Sequence, residues 1–268
     1  MRQLQDTEER IFMSNIKSAF ENKKAFIAFL TCGDPNLETT EKIIESMVAK
    51  GVDLIELGIP FSDPTAEGPV IQEANIRALA GGVTTDKIFD MVRRVRKKVN
   101  IPMVFMTYAN VVFSYGTERF LKTAAEVGMD GIILPDVPYE EKSEFAEVCK
   151  ENGLDFISLI APTSNERIGK IANEAEGFLY CVSSLGVTGT RSEIKSDIDS
   201  MISAVRKAAN IPTAIGFGIS TPEKAAQMAH KADGIIIGSA IIKLIAKYGN
   251  DCVPYIEKFV EEVSAALK

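Results

Sequence analysis

Eight short apolar runs recur along the chain, each separated from the next by a segment of helical pattern. The runs read AFIAFL (25–30), VDLIELG (52–58), PMVFMTY (102–108), DGIILP (130–135), DFISLI (155–160), GFLYCV (177–182), PTAIGFG (212–218) and DGIIIG (233–238). Their hydrophobicity is nearly continuous rather than alternating, which marks strands covered on both faces. Strands alternating with helices predict βα units and a parallel sheet. In 36–50 the apolar residues Leu37, Ile43, Ile44, Met47 and Val48 fall mostly on one stripe, with Glu38, Glu41, Lys42 and Glu45 largely opposite. Segment 140–152 behaves likewise and stops at Gly153.

Eight similar units without a reversal in pattern favour a closed (β/α)8 barrel, a TIM barrel, over a doubly wound open sheet. A chain of 268 residues suits one such domain, and no linker or low-complexity stretch divides it. The reading is therefore a single α/β barrel domain over 1–268. Residues 8–22 read as an extra N-terminal helix and 251–267 as a C-terminal closing helix. The longest gap, between the second and third strands, holds PFSDPTAEGPVIQ, more loop than a crossover needs. Long loops in compact domains tend to be functional.

Several function classes drop out on charge and composition. The net charge is −7, and the one basic run, Arg93–Lys98, falls on an expected helix end where water solvates it. Phosphate-backbone binding needs a basic face, so no nucleic-acid partner is expected. The four cysteines lack metal spacing and read as reduced thiols. No stretch approaches the ~20 apolar residues of a membrane span, and the N-terminus lacks an apolar signal segment. A cytoplasmic protein without a membrane partner is expected.

Barrel active sites form at the C-terminal strand ends. Strand 2 ends at Glu56, a carboxylate in an apolar strand. Partial desolvation there raises the pKa toward a useful acid–base range, although a structural hydrogen bond or ion pair would also explain it. In the following loop Asp63 sits in a turn-forming SDP and reads as a loop-fixing residue. Glu67 precedes Gly-Pro and faces either solvent or the site. Strands 6, 7 and 8 are followed by SLGVTG (184–189), GFGIS (216–220) and GSA (238–240). Gly-rich loops opening onto helix N-termini offer free N–H groups and the positive dipole end, so an anion site is expected. The single histidine, His230, lies on a helix before the last strand, at the wrong end for catalysis. No lysine falls in any of the eight runs, which argues against a Schiff base. Neither a metal nor a cofactor is expected. Phe29, Tyr108, Leu159 and Phe217, at strand ends beside the anion site, suggest a pocket for a flat apolar group, although most barrel-lining residues are only core.

These loops together resemble the tryptophan synthase α-subunit family. The likeness rests on FLTCGDP (29–35), ELGIPFSDPTAEGPVIQ (56–72), MTYAN (106–110), LPDVP (134–138), YCVSSLGVTG (180–189), GFGIS (216–220) and GSAIIK (238–243), in order along the chain. The resemblance implies retro-aldol cleavage of indole-3-glycerol phosphate to indole and glyceraldehyde 3-phosphate, without cofactor or metal. It assigns the principal acid–base role to Glu56, places the family's second carboxylate, usually an aspartate, on Glu67, and places a tyrosine beside the glycerol chain at Tyr180. Phosphate contacts fall on Gly189, Gly218, Gly238 and Ser239. Indole contacts fall on Phe29, Tyr108, Ile133, Leu159 and Phe217. A closing loop falls on 184–192, with Thr188 near the catalytic carboxylate. The resemblance also implies an αββα heterotetramer with a pyridoxal-phosphate-bearing β subunit, docked through Pro60, Asp63 and the 108–113 segment. A stand-alone indole-glycerol phosphate lyase and a non-catalytic phosphate-binding activator are the alternatives.

Overall fold

The computed structural model describes residues 14–162, 165–182, 191–216 and 218–268, with side chains for all of these except 165 and 191–197. Each apolar run forms a strand: β1 (Ala25–Thr31), β2 (Leu54–Gly58), β3 (Met103–Met106), β4 (Gly131–Ile133), β5 (Asp155–Phe156), β6 (Leu159–Ile160), β7 (Leu179–Val182), β8 (Thr213–Gly216) and β9 (Gly234–Ile237). All neighbours pair parallel, in the order β5-β4-β3-β2-β1-β9-β8-β7-β6. The two ends of that order, β5 and β6, are halves of the single run 155–160. Ile157 N–H reaches Ile132 O at 2.9 Å on one side, and Tyr180 N–H reaches Ser158 O at 3.0 Å on the other. The ladder therefore returns on itself as a barrel of eight staves.

The crossovers are helical: α1 (Leu37–Ala49), α2 (Pro69–Ala80), α3 (Thr85–Val95), α4 (Ala109–Tyr115), α5 (Thr117–Glu126), α6 (Ser143–Glu151), α7 (Asn165–Asn173), α8 (Arg191–Ala208), α9 (Pro222–Ala229), α10 (Ser239–Tyr248) and α11 (Val253–Ala266). Local chemistry sets their starts. Asn36 accepts from Thr39 N–H at 2.8 Å to cap α1, and Thr84 and Thr221 cap α3 and α9. Helix α2 departs from the sequence reading. The segment PFSDPTAEGPVIQ is loop only to Gly68, because Pro69 occupies the first helical position, where its missing N–H costs nothing. Among the described residues no helix is long and apolar enough to cross a membrane.

Alternation along the strands separates two packing surfaces. Inward residues such as Ile27, Leu54, Val104, Ile157 and Phe178 fill the barrel, and Ile16 joins them from below. Outward residues such as Ile55, Met103 and Ile235 pack under the helices. Truncating one of these isoleucines would cost ~2–5 kcal/mol. Ile16 belongs to a 3-10 turn, Ile16–Phe20. The described part of the expected 8–22 helix is thus this tight turn, and residues 1–13 lie outside the description. Ser14 donates to Asp155 at 2.7 Å and Asn15 N–H to Asp130 at 3.0 Å, fixing the turn beneath the barrel floor. The C-terminal helix forms as expected, starting at Val253.

The basic run needs one correction. Arg93, Arg94 and Lys98 make exposed pairs with Asp90, Glu41 and Glu45, worth ~0–1 kcal/mol each. Arg96 instead reaches in, donating to Asp130 at 2.6 Å and to the Gly128 carbonyl at 2.6 Å. It ties α3 to the entry of β4, a contact that a helical charge pattern does not reveal.

Candidate active site

The register of β1 against β2 places Phe29 opposite Glu56. Each stands two residues beyond an interior floor residue, Ile27 and Leu54, so both point into the barrel one layer nearer its mouth. Glu56 is fully buried, and among the described residues neither carboxylate oxygen has a hydrogen-bond partner. Burial, and secondarily the charge of Glu67, pushes its pKa up to about 8. At neutral pH Glu56 therefore holds its proton, since an uncompensated buried carboxylate is costly. The ordinary ion-pair reading does not apply.

Glu67 stands half-buried at the end of the loop from β2. Its Oε2 accepts from Tyr108 Oη at 2.5 Å, and the same phenol oxygen accepts from Ala66 N–H at 2.9 Å. Burial raises the Glu67 pKa, the Tyr108 hydrogen bond opposes this, and the charge of Asp136 adds to the rise. Asp136 itself accepts from Ala109 N–H at 3.1 Å, at the positive N-terminal end of α4. Tyr108, expected as an indole contact, is a buried residue whose hydroxyl anchors the loop. The ring of Phe61 lies 5.1 Å from its own. Asp63 is exposed and accepts from Ser62 Oγ at 2.5 Å.

Tyr180 faces inward from β7, level with Leu159. Burial first, then the charges of Glu56 and Glu67, holds its phenol far above the usual range, so it is a neutral donor beside both carboxyls. Gly216 on β8, two residues beyond Ala214, the register partner of Tyr180, leaves room for the Tyr180 ring. A Cβ at Gly216 would stand 2.5 Å from the Tyr180 ring and hydroxyl. Gly58 is constrained in the same way by Phe29, whose ring would meet a Cβ at 2.7 Å. The sequence reading passed over both glycines, because only the tertiary contact gives them their purpose. It also passed over Met106, which the β3 register places inward between Gly58 and Ile133. In-out counting from Val104 was the available signal.

The anion-site residues divide. Gly238 is the N-cap of α10, with Ser239 exposed at the first helical position. The helix's first N–H groups lack intrahelical partners there. Gly218 is exposed at φ +68°, and the place of a Cβ is open space. Thr188, Gly189 and Phe217 lie outside the described residues, as does the closing loop up to 190. Residues 191 and 192 open helix α8. Ile133 is buried and Leu159 half-buried within the barrel. Pro60, expected on a partner surface, is buried. Ile59 N–H bonds Met106 O at 2.9 Å, carrying the β2 ladder beyond Gly58 before the chain turns outward. Phe113, by contrast, is 52% exposed. His230 is exposed at the C-terminal end of α9, away from the mouth. Among the described residues no three His, Cys, Asp or Glu side chains are placed to hold a metal ion.

A barrel whose mouth holds a buried carboxyl of raised pKa, a second carboxylate in hydrogen-bond contact with a phenol, and an open helix N-terminus has the parts of an acid–base enzyme. The family model of the tryptophan synthase alpha chain matches residues 14–267. The tryptophan synthase alpha chain of Lacticaseibacillus casei is 47% identical over 257 residues, 96% of this chain and 97% of that one. That of Geobacter sulfurreducens is 48% identical over 242 residues, 88% and 92% of the two chains. Among solved structures, tryptophan synthase subunit alpha from Legionella pneumophila superposes with a TM-score of 0.87 at 37% identity, covering 96% of this chain and 99% of that one. A chain of the tryptophan synthase complex from Pyrococcus furiosus gives 0.83 at 33% identity, covering 91% and 98%. The chain belongs to the tryptophan synthase alpha chain family, and is a lyase with the α-subunit role in tryptophan biosynthesis.

Proposed function

We propose that this chain cleaves indole-3-glycerol phosphate to indole and glyceraldehyde 3-phosphate by a retro-aldol reaction without cofactor. The observation that carries the reading is the Glu56 carboxyl, buried and without a hydrogen-bond partner among the described residues, its pKa raised by that burial. Glu56 gives its proton to indole C3, leaving positive charge on the ring nitrogen. As a carboxylate it then takes the proton of the glycerol hydroxyl on the adjacent carbon. The bond between that carbon and C3 breaks, its electron pair returns to the ring, and the hydroxyl carbon becomes the aldehyde. One carboxyl of raised pKa thus serves as acid and then as base.

Glu67 accepts the ring N–H and stabilises the charge that develops on it. Tyr108, itself receiving the Ala66 N–H, holds that carboxylate in place. Tyr180 stands along the glycerol chain. Phe29, Ile133 and Leu159 wall the ring, with Phe217 completing the wall. Gly218, Gly238 and Ser239 receive the phosphate on main-chain N–H groups, together with Gly189, and Thr188 belongs to the loop that closes over Glu56.

The working assembly is an αββα tetramer in the cytoplasm, with residues 1–268 forming one barrel domain. Exposed Phe113 and Asp63 border the mouth on the partner side. The deciding experiment measures indole release from indole-3-glycerol phosphate with and without a tryptophan synthase β subunit. Slow release alone and a rise of tenfold or more with the partner is the expected result. Release indifferent to the partner would point to a stand-alone lyase, and no release in either case would overturn the reaction.

A further inference from the structure

The barrel wall opens at one seam. Strands β4 and β5 pair only at Gly131↔Asp155 and Ile132↔Phe156, and β6 pairs with β7 alone. Beyond the Ile157 N–H to Ile132 O bond, the Ile157 carbonyl and the Leu159 N–H still face β4, yet neither finds a backbone partner on Leu134. Main-chain groups in a wall strand are rarely left so.

The parted strands border a partly open cavity of about 220 Å³. Leu134, Val137, Phe156 and Ile160 give it apolar sides. Ser158 lines it, is 7% exposed, and its hydroxyl has no hydrogen-bond partner among the described residues. The volume is several times the ~30 Å³ share of a liquid water and below the ~300 Å³ of a drug-sized pocket. The rim cations do not select an anion. Lys142 pairs with Glu174 at 2.8 Å and Arg167 pairs with Glu140. What remains is a partly open slot with apolar sides, one hydroxyl without a partner among the described residues, and a free carbonyl and a free N–H along one edge.

We propose that this seam is a second binding site, distinct from the catalytic mouth, for a small neutral planar heteroaromatic bearing a ring N–H, the chemical class of indole. The flat ring enters between the parted strands, and its N–H replaces the missing ladder partner of the Ile157 carbonyl. Leu159 is the shared wall, since it faces the barrel interior and also lines the seam. The proposal rests on indole being the product of the mouth, which makes that molecule locally abundant.

The test is fluorine NMR of 5-fluoroindole with the full chain, the mouth saturated by 3-indolylpropyl phosphate, which cannot be cleaved. A bound resonance should persist with the mouth filled. Val137→Trp, which fills the cavity from the rim, should weaken that binding at least tenfold while leaving cleavage within twofold. Ser158→Ala, a milder change, should weaken it several-fold in a chain of unchanged melting temperature. Complete displacement by the phosphate, or a resonance untouched by both variants, would overturn the seam site. Cleavage by the wild type is read separately, so failure of the proposed reaction is distinguishable from failure of this one.

Discussion

The phenol of Tyr108 grips the β2 loop twice, donating to Glu67 Oε2 at 2.5 Å and accepting from Ala66 N–H at 2.9 Å. A residue at the end of β3 thereby sets the position and the acidity of a carboxylate in another crossover. Tyr108→Phe removes both bonds and keeps the ring. Hydrogen bonds to charged groups contribute ~1.5–3 kcal/mol, so a modest loss of stability is expected, with cleavage reduced about tenfold. The Tyr108 bond lowers the Glu67 pKa, so the acidic limb of the pH–rate profile should move to higher pH. A limb that stays in place would show that the phenol does not tune Glu67.

Glu56→Gln should cut cleavage by ~10²–10⁴ in a folded chain. Its effect on stability has a definite sign. Below pH 4.5 the folded and unfolded chains both carry the proton, and the group contributes nothing. Between 4.5 and about 8 the unfolded chain releases the proton while the folded chain keeps it. Wild-type stability therefore falls across this window by on the order of 1.4 kcal/mol per pH unit, and the deficit is constant above it. Glutamine does not titrate. The variant should melt higher than wild type at pH 8 and nearly level with it at pH 4.5. An equal difference at both values would contradict the buried, protonated carboxyl.

Ser239→Asp separates phosphate binding from folding. An acid at the first position of α10 favours the helix dipole by ~0.3–1 kcal/mol, so the melting temperature should hold or rise. The same charge repels the substrate phosphate, and KM for indole-3-glycerol phosphate should rise tenfold or more. Turnover of the unphosphorylated indole-glycerol should change little. Parallel losses on both substrates would place the anion elsewhere.

The loop from β2 brings the Glu67 carboxylate to the Tyr108 hydroxyl. Glu67→Gln should reduce cleavage by one to three powers of ten, on the order of 1.4–4 kcal/mol in the barrier. Glu67→Asp draws the carboxylate back by more than an ångström and should also be impaired, because the 2.5 Å bond cannot be kept without moving the loop. Full activity in Glu67→Asp would mean that the loop is not matched to the longer acid.

Much of the fold and part of the site were legible in the chain itself. Continuous apolar runs point to covered parallel strands, and their eightfold recurrence favours a closed barrel over an open sheet, because hydrophobic periodicity is a local property. The place of Glu56 at a strand end was readable for the same reason. What the tertiary structure alone decided are the relations between units. No spacing rule states that the 155–160 run breaks at Ile157 and Ser158, that Arg96 turns inward to Asp130, that Pro60 is buried, or that the rings of Phe29 and Tyr180 lie over the glycines at 58 and 216. The acidity of Glu56 belongs to this second kind. A carboxyl's pKa follows from the water and charges removed from around it. Those are set by β1, β3 and the Glu67 loop, residues distant in sequence that only the closed barrel brings to one mouth.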